Sequence, residues 1–152
     1  MGFFGNLFGT SDPWLVTGNE LKRECQIETL TEAINCYDKV IEKNPHCIEA
    51  WCYKGHCYHL IRNENDAIRC YDEAIKIKPN DAEVWYNKGM SFHCLNQIDD
   101  ENFCFKKAIE LNPGYKEYIE GWRERRSVQL VQIGPNEFLF PKLPPDPRKW
   151  SK

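Results

Sequence analysis

Residues 66–79 read DAIRCYDEAIKIKP. Upstream, residues 32–45 read EAINCYDKVIEKNP, and downstream, residues 101–113 read ENFCFKKAIELNP. The three segments superpose without a gap. Pro45, Pro79 and Pro113 recur every 34 residues, as do Tyr37, Tyr71 and Phe105, and Cys36, Cys70 and Cys104. Trp51 with Trp85, and Gly55 with Gly89, carry the same interval into the preceding segments. A fixed period of this kind marks a repeat architecture, in which each unit buries its apolar face only by stacking on a neighbour.

The residue types explain the period. Gly55, Gly89 and Ala67 are small, so two helices that meet at them can cross closely. Trp51, Tyr58 and Tyr71 are large and fill the space beside such a crossing, so large and small groups interdigitate. Proline disfavours the helical state in the residue before it, so Pro45, Pro79 and Pro113 end helices. Asn80 and Asp81 then offer a side-chain oxygen to cap the next helix.

This pattern resembles the tetratricopeptide repeat, a helix–turn–helix unit of the same period. Trp51, Gly55, Tyr58, Ala67, Tyr71, Ala74 and Pro79 carry the closest match, followed by Trp85, Gly89, Phe92, Phe105, Ala108 and Pro113. The resemblance implies an all-α fold, an α-solenoid of three repeats with a capping helix and an extended C-terminal tail. Glu101 departs from it, standing where a small residue belongs. There the helix pair is expected to pack more loosely, or to shift so that the carboxylate reaches water. An earlier copy runs from Trp14 through Gly18 to Ala33, Tyr37, Val40 and Pro45. It carries three residues more between its tryptophan and tyrosine than the second copy does, and the extra residues are expected around Glu24–Thr29.

The expected organisation is a short apolar segment at 1–13, a repeat domain at 14–126 and a tail at 127–152. Within the domain, the repeats fall near 14–47, 48–81 and 82–115, and a capping helix near 115–126 presents Tyr115, Tyr118, Ile119 and Trp122 on one side. In the tail, VQLVQI alternates, GPNE reads as a turn and Pro141 interrupts FLFPKL, which argues against a central strand. The closing PPDPRKWSK reads as extended and proline-rich.

Composition bounds the function. The chain has 152 residues, 41% of them hydrophobic and 28% charged, enough for one domain with an ordinary core. The net charge of −3, with no long basic cluster, gives no support for nucleic-acid binding. No apolar run is long enough to span a membrane. MGFFGNLFGT lacks the basic start and long apolar stretch of a secretory signal, and Asn6 stands where a myristoylation signal has Ser or Thr. The eight cysteines are therefore expected to be reduced thiols in a cytoplasmic protein.

The resemblance also implies a concave groove, lined by the first helices of the repeats, that holds a peptide or partner protein. The positions it places there are Asn19, Glu49, Cys52, Tyr53, His56 and His59, then Glu83, Tyr86, Asn87, Met90 and His93. One subgroup of the family clamps the C-terminal carboxylate of chaperones with Lys, Arg and Asn. Here Glu83 and Asn87 stand where Lys and Arg are expected, so a carboxylate would meet repulsion. Tyr53, Tyr86 and Met90 suit a ligand with apolar anchors. The expected role is a scaffold or adaptor with no cofactor. A self-occluded form, with FLFPKL in its own groove or a neighbour's, is an alternative.

A second alternative is a metal site. Cys52, His56 and His59 share one helix face, and His93 with Cys94 recurs one repeat later, so a thiolate and imidazoles suited to zinc or copper could converge. No Cys-x-x-Cys pair supports it. Catalysis finds less support still, with no phosphate loop or nucleophile elbow in the chain.

Overall fold

A computed structural model describes residues 12–24 and 26–129. The described residues form seven helices and no strand: α1 Pro13–Glu24, α2 Ile27–Lys43, α3 Ile48–Leu60, α4 Glu64–Ile77, α5 Ala82–Cys94, α6 Ile98–Leu111 and α7 Gly114–Gln129. α1 packs on α2, α3 on α4 and α5 on α6. Each pair then packs on the next through α2 with α3 and α4 with α5, and α7 covers α6. The odd-numbered helices also touch in series, α1 with α3 and α3 with α5, which puts them on one side of the stack. This is the expected all-α solenoid.

Each pair crosses at a glycine. A Cβ added to Gly18 would lie 2.7 Å from Tyr37 Cε1, one on Gly55 2.7 Å from Tyr71 Cε1, and one on Gly89 2.6 Å from Phe105 Cε1. The three rings are fully buried, so the missing side chain is what lets each helix pair close. Ala33, Ala67, Ala74 and Ala108 are buried on the facing helices, and Cys36, Cys70 and Cys104 fill the gaps beside them as small hydrophobes.

The ends of the helices follow the sequence closely. α2, α4 and α6 each stop two residues before their proline, with the cap residues Asn44, Lys78 and Asn112 out of helical conformation. The Trp51 indole N–H donates to the Pro45 carbonyl at 2.9 Å, and that of Trp85 to the Pro79 carbonyl at 2.8 Å. Each indole thus ties its helix to the turn before it. Asp81 caps α5 by accepting from the Glu83 N–H at 3.2 Å. Between α3 and α4 and between α5 and α6, the chain turns through left-handed residues at Arg62 (φ 66) and Asn96 (φ 57). The additional residues of the first pair lie in helix. α2 runs for 17 residues against 14 in α4 and α6, starting nearly a turn early at Ile27.

Glu101 corrects one expectation. Its carboxylate does not reach water, being 6% exposed. It accepts from His93 Nδ1 at 2.8 Å and from an Arg123 guanidinium nitrogen at 3.2 Å. Nor is the pair looser there, since the Gly89–Phe105 approach is as close as the other two. A buried carboxylate is tolerated when ionic partners satisfy it, and α5 and α7 supply them. The helix surfaces likewise hold more than solvated acids. Asp38 pairs with Lys54 and Asp72 with Lys88 at 2.6 Å, a bridge repeated between successive pairs.

The capping helix is real and longer than expected. α7 buries Tyr115 and Ile119 against α6 and extends three residues into the range assigned to the tail. The 1–11 segment, the FLFPKL run and the proline-rich end lie outside the described residues.

Candidate functional site

The residues expected to bind come from α1, α3 and α5, the helices that touch in series. Tyr53 on α3 is half-buried, with its ring 5.9 Å from that of Tyr37 and the Lys22 ammonium 3.8 Å above its centroid. Lys22 comes from α1, so the two helices share a cation–π contact on this face. Asn19, one turn away on α1, accepts from the Tyr37 hydroxyl at 2.9 Å, which fixes its amide beside the helix crossing. His56 lies next to this group. Burial, then the Lys22 and His59 charges, push its pKa down to about 4, so the imidazole is neutral near pH 7. Asn87 on α5 is half-exposed, Met90 is partly buried against the Tyr86–Phe105 cluster, and Glu49 and Glu83 in the first turns of α3 and α5 are exposed.

Two expected groove residues lie elsewhere. Tyr86 is core, only 5% exposed. Its ring stacks on Phe105 at 5.7 Å and meets Tyr115 at 5.2 Å and Tyr118 at 5.6 Å. The aromatic residues of α7 cover a position that would face a groove if the stack ended sooner. Cys52 is mostly buried and packs against the cluster of Ala67, Tyr71, Ala74 and Val84. Burial raises its thiol pKa, and the charges of Asp81, Glu83 and Glu49 raise it further while that of Lys78 lowers it.

Of the five residues the sequence offered for a metal site, His59 and Cys94 come close to one another, while Cys52, His56 and His93 do not join them. His59 Nδ1 pairs with Glu64 Oε2 at 2.8 Å and His93 Nδ1 with Glu101 Oε2 at 2.8 Å, each engaged within its own helix pair. Among the described residues, only His59, Glu64 and Cys94 form a group of three potential ligands, with donor atoms within 4.8 Å of one another. Sequence reasoning missed Lys22, Glu64 and Glu101 as members of these clusters. The signal for the two glutamates was their register. Glu64 stands where the first segment has Leu30, and Glu101 where the second has Ala67, so both put a carboxylate at a core position.

Comparison with known proteins gives the fold its relatives. Residues 48–81 and 70–101 match tetratricopeptide repeat family profiles, and residues 30–61 match the protein prenyltransferase alpha subunit repeat. No curated protein matches the chain in sequence. Among solved structures, the first TPR domain of human RPAP3 is similar with a TM-score of 0.67 at 16% identity, covering 78% of this chain and 91% of that one. The first TPR of Spaghetti (RPAP3), bound to the HSP90 peptide SRMEEVD, gives 0.65 at 16% identity over 82% and 99%. MamA gives 0.59 at 24% identity over 64% of this chain and 56% of MamA, so the chain spans little more than half of that protein's length.

Proposed function

We propose that the chain, whose residues 48–101 match tetratricopeptide repeat profiles, is a protein-interaction module whose α1–α3–α5 face holds an extended peptide or a segment of a partner protein. The observation that carries this reading is the arrangement around Tyr53. A half-buried aromatic ring, a cation and an amide from two successive first helices are held side by side by the fold. Asn19, Tyr53, His56, Asn87 and Met90 are the residues assigned to it, flanked by Lys22, Glu49 and Glu83. The structurally similar first TPR of Spaghetti is bound to the HSP90 peptide SRMEEVD.

The ligand differs in charge from that peptide in this reading. Glu49 and Glu83 stand exposed in the first turns of α3 and α5. An acidic C-terminus set there would be repelled, whereas an apolar anchor beside Tyr53 and Met90, with a neutral or basic flank near Glu83, would be favoured. The domain is taken to be residues 14–126, counted as three repeats with a cap. It acts as an adaptor in the cytoplasm and does no chemistry of its own. The thiols suit that setting. Burial pushes Cys70 up to about 12 and Cys104 up to about 11, which keeps both protonated as packing groups. Peptide-display selection against the full chain tests the proposal. Enrichment of sequences with an apolar anchor and a neutral or basic flank supports it, and enrichment of acidic C-termini contradicts it.

A further inference from the structure

The first residue of α4 is out of keeping with its surroundings. At the corresponding position α2 has Leu30, a core residue, whereas α4 has Glu64, 6% exposed. A carboxylate buried to this degree needs partners for both oxygens. Oε2 has one in His59 Nδ1 at 2.8 Å. Oε1 is buried and has no hydrogen bond of good geometry. The thiol of Cys94, at the end of α5 in the next helix pair, meets the same carboxylate as a weak hydrogen-bond partner, and its pKa is pushed up to about 11 by burial first and then by Glu64. The His59, Glu64 and Cys94 donor atoms lie within 4.8 Å of one another.

We propose that His59, Glu64 and Cys94 are the three protein ligands of a zinc site that joins the second and third helix pairs, with water as the fourth ligand. The set keeps His59 and Cys94 from the residues expected from sequence, adds Glu64, and leaves out Cys52, His56 and His93. Imidazole, carboxylate and thiolate are the usual zinc donors, and ligand bonds of about 2.0–2.3 Å would draw the three groups together by side-chain rotation. Binding would displace the thiol proton to solvent and replace the thiol–carboxylate contact by bonds from both groups to the ion. Arg62 is the competing cation, because its guanidinium reaches the Cys94 thiol. It sits exposed on the left-handed turn, where it can swing into solvent when an ion enters.

The full chain, stripped with chelator and kept reduced with a phosphine, is titrated with cobalt(II) and then zinc. The expected result is a thiolate-to-cobalt charge-transfer band that saturates at one equivalent, is bleached by zinc and is lost in Cys94→Ser and His59→Gln. Zinc is also expected to raise the Tm of the wild type but not of these variants. Cys52→Ser should retain the band. Circular dichroism of the metal-free variants separates loss of the site from loss of the fold. A folded wild type that gives no band and no zinc-dependent rise in Tm overturns the proposal, as does a band that survives Cys94→Ser.

Discussion

The Lys22 ammonium lies 3.8 Å above the centroid of the Tyr53 ring, linking α1 to α3 on the face where the odd-numbered helices meet. The contact is partly exposed, so Lys22→Met should cost only about 0.5–1 kcal/mol in chemical denaturation. The same change should free the ring to move and alter ligand affinity more than stability. A loss of stability above that range would mean that Lys22 is a structural pin rather than part of a binding surface.

The glycine crossings predict opposite outcomes for one substitution. Gly55→Ala places a methyl 2.7 Å from a fully buried Tyr71 ring that has no room to retreat. It should destabilise by about 1–3 kcal/mol, the usual cost of overpacking a core. Gly121 has nothing within 4 Å of an added Cβ and lies inside α7, so Gly121→Ala should stabilise by about 0.5–1 kcal/mol. Thermal melts of the two variants check the pair.

Tyr86 provides a test of core against groove. With its ring packed among Phe105, Tyr115 and Tyr118, Tyr86→Ala should cost about 3–5 kcal/mol and loosen α7. Urea unfolding would measure it. A stable Tyr86→Ala protein that merely binds less would return this residue to the groove.

His56 sets a pH dependence. Its folded pKa, pushed down to about 4, lies below the ordinary value of 6.5. The unfolded chain therefore takes up the proton first as pH falls. The contribution of neutral His56 is full above pH 6.5 and is lost progressively as pH falls from there through 4. The loss by pH 4 should amount to about 2–3 kcal/mol. His56→Gln should flatten that part of the stability profile, and an unchanged slope between pH 6.5 and 4 would show that the imidazole is solvated.

Much of this was legible in the sequence because a repeat states its rules more than once. Trp51, Gly55, Tyr71 and Pro79 recur in register, so pairing, crossing points and helix ends could all be read. The early start of α2 was not legible, because three added residues can lengthen a helix or a loop with equal ease. Tyr86 was misplaced because α7 follows α6 so closely that its aromatic residues cover the position. The His59–Glu64 and His93–Glu101 pairs escaped notice for another reason. Glu64 reads as an ordinary first-turn glutamate, and although Glu101 stood out at a small-residue position, its partners His93 and Arg123 come from other helices. Cys52 and His56 share a helix face as expected, yet the stack turns one into packing and leaves the other beside Lys22.

The central claim is that the α1–α3–α5 face binds a peptide segment. The most direct measurement is calorimetric titration of the strongest display-selected peptide into the wild type, into Tyr53→Ala/Asn87→Ala, and into Phe103→Ala, whose side chain is 54% exposed on α6. With all three proteins folded, the double variant should bind at least about tenfold more weakly, a loss of about 1.4 kcal/mol, while Phe103→Ala binds as the wild type does. Equal affinity for the wild type and the double variant, or a loss confined to Phe103→Ala, would contradict the account.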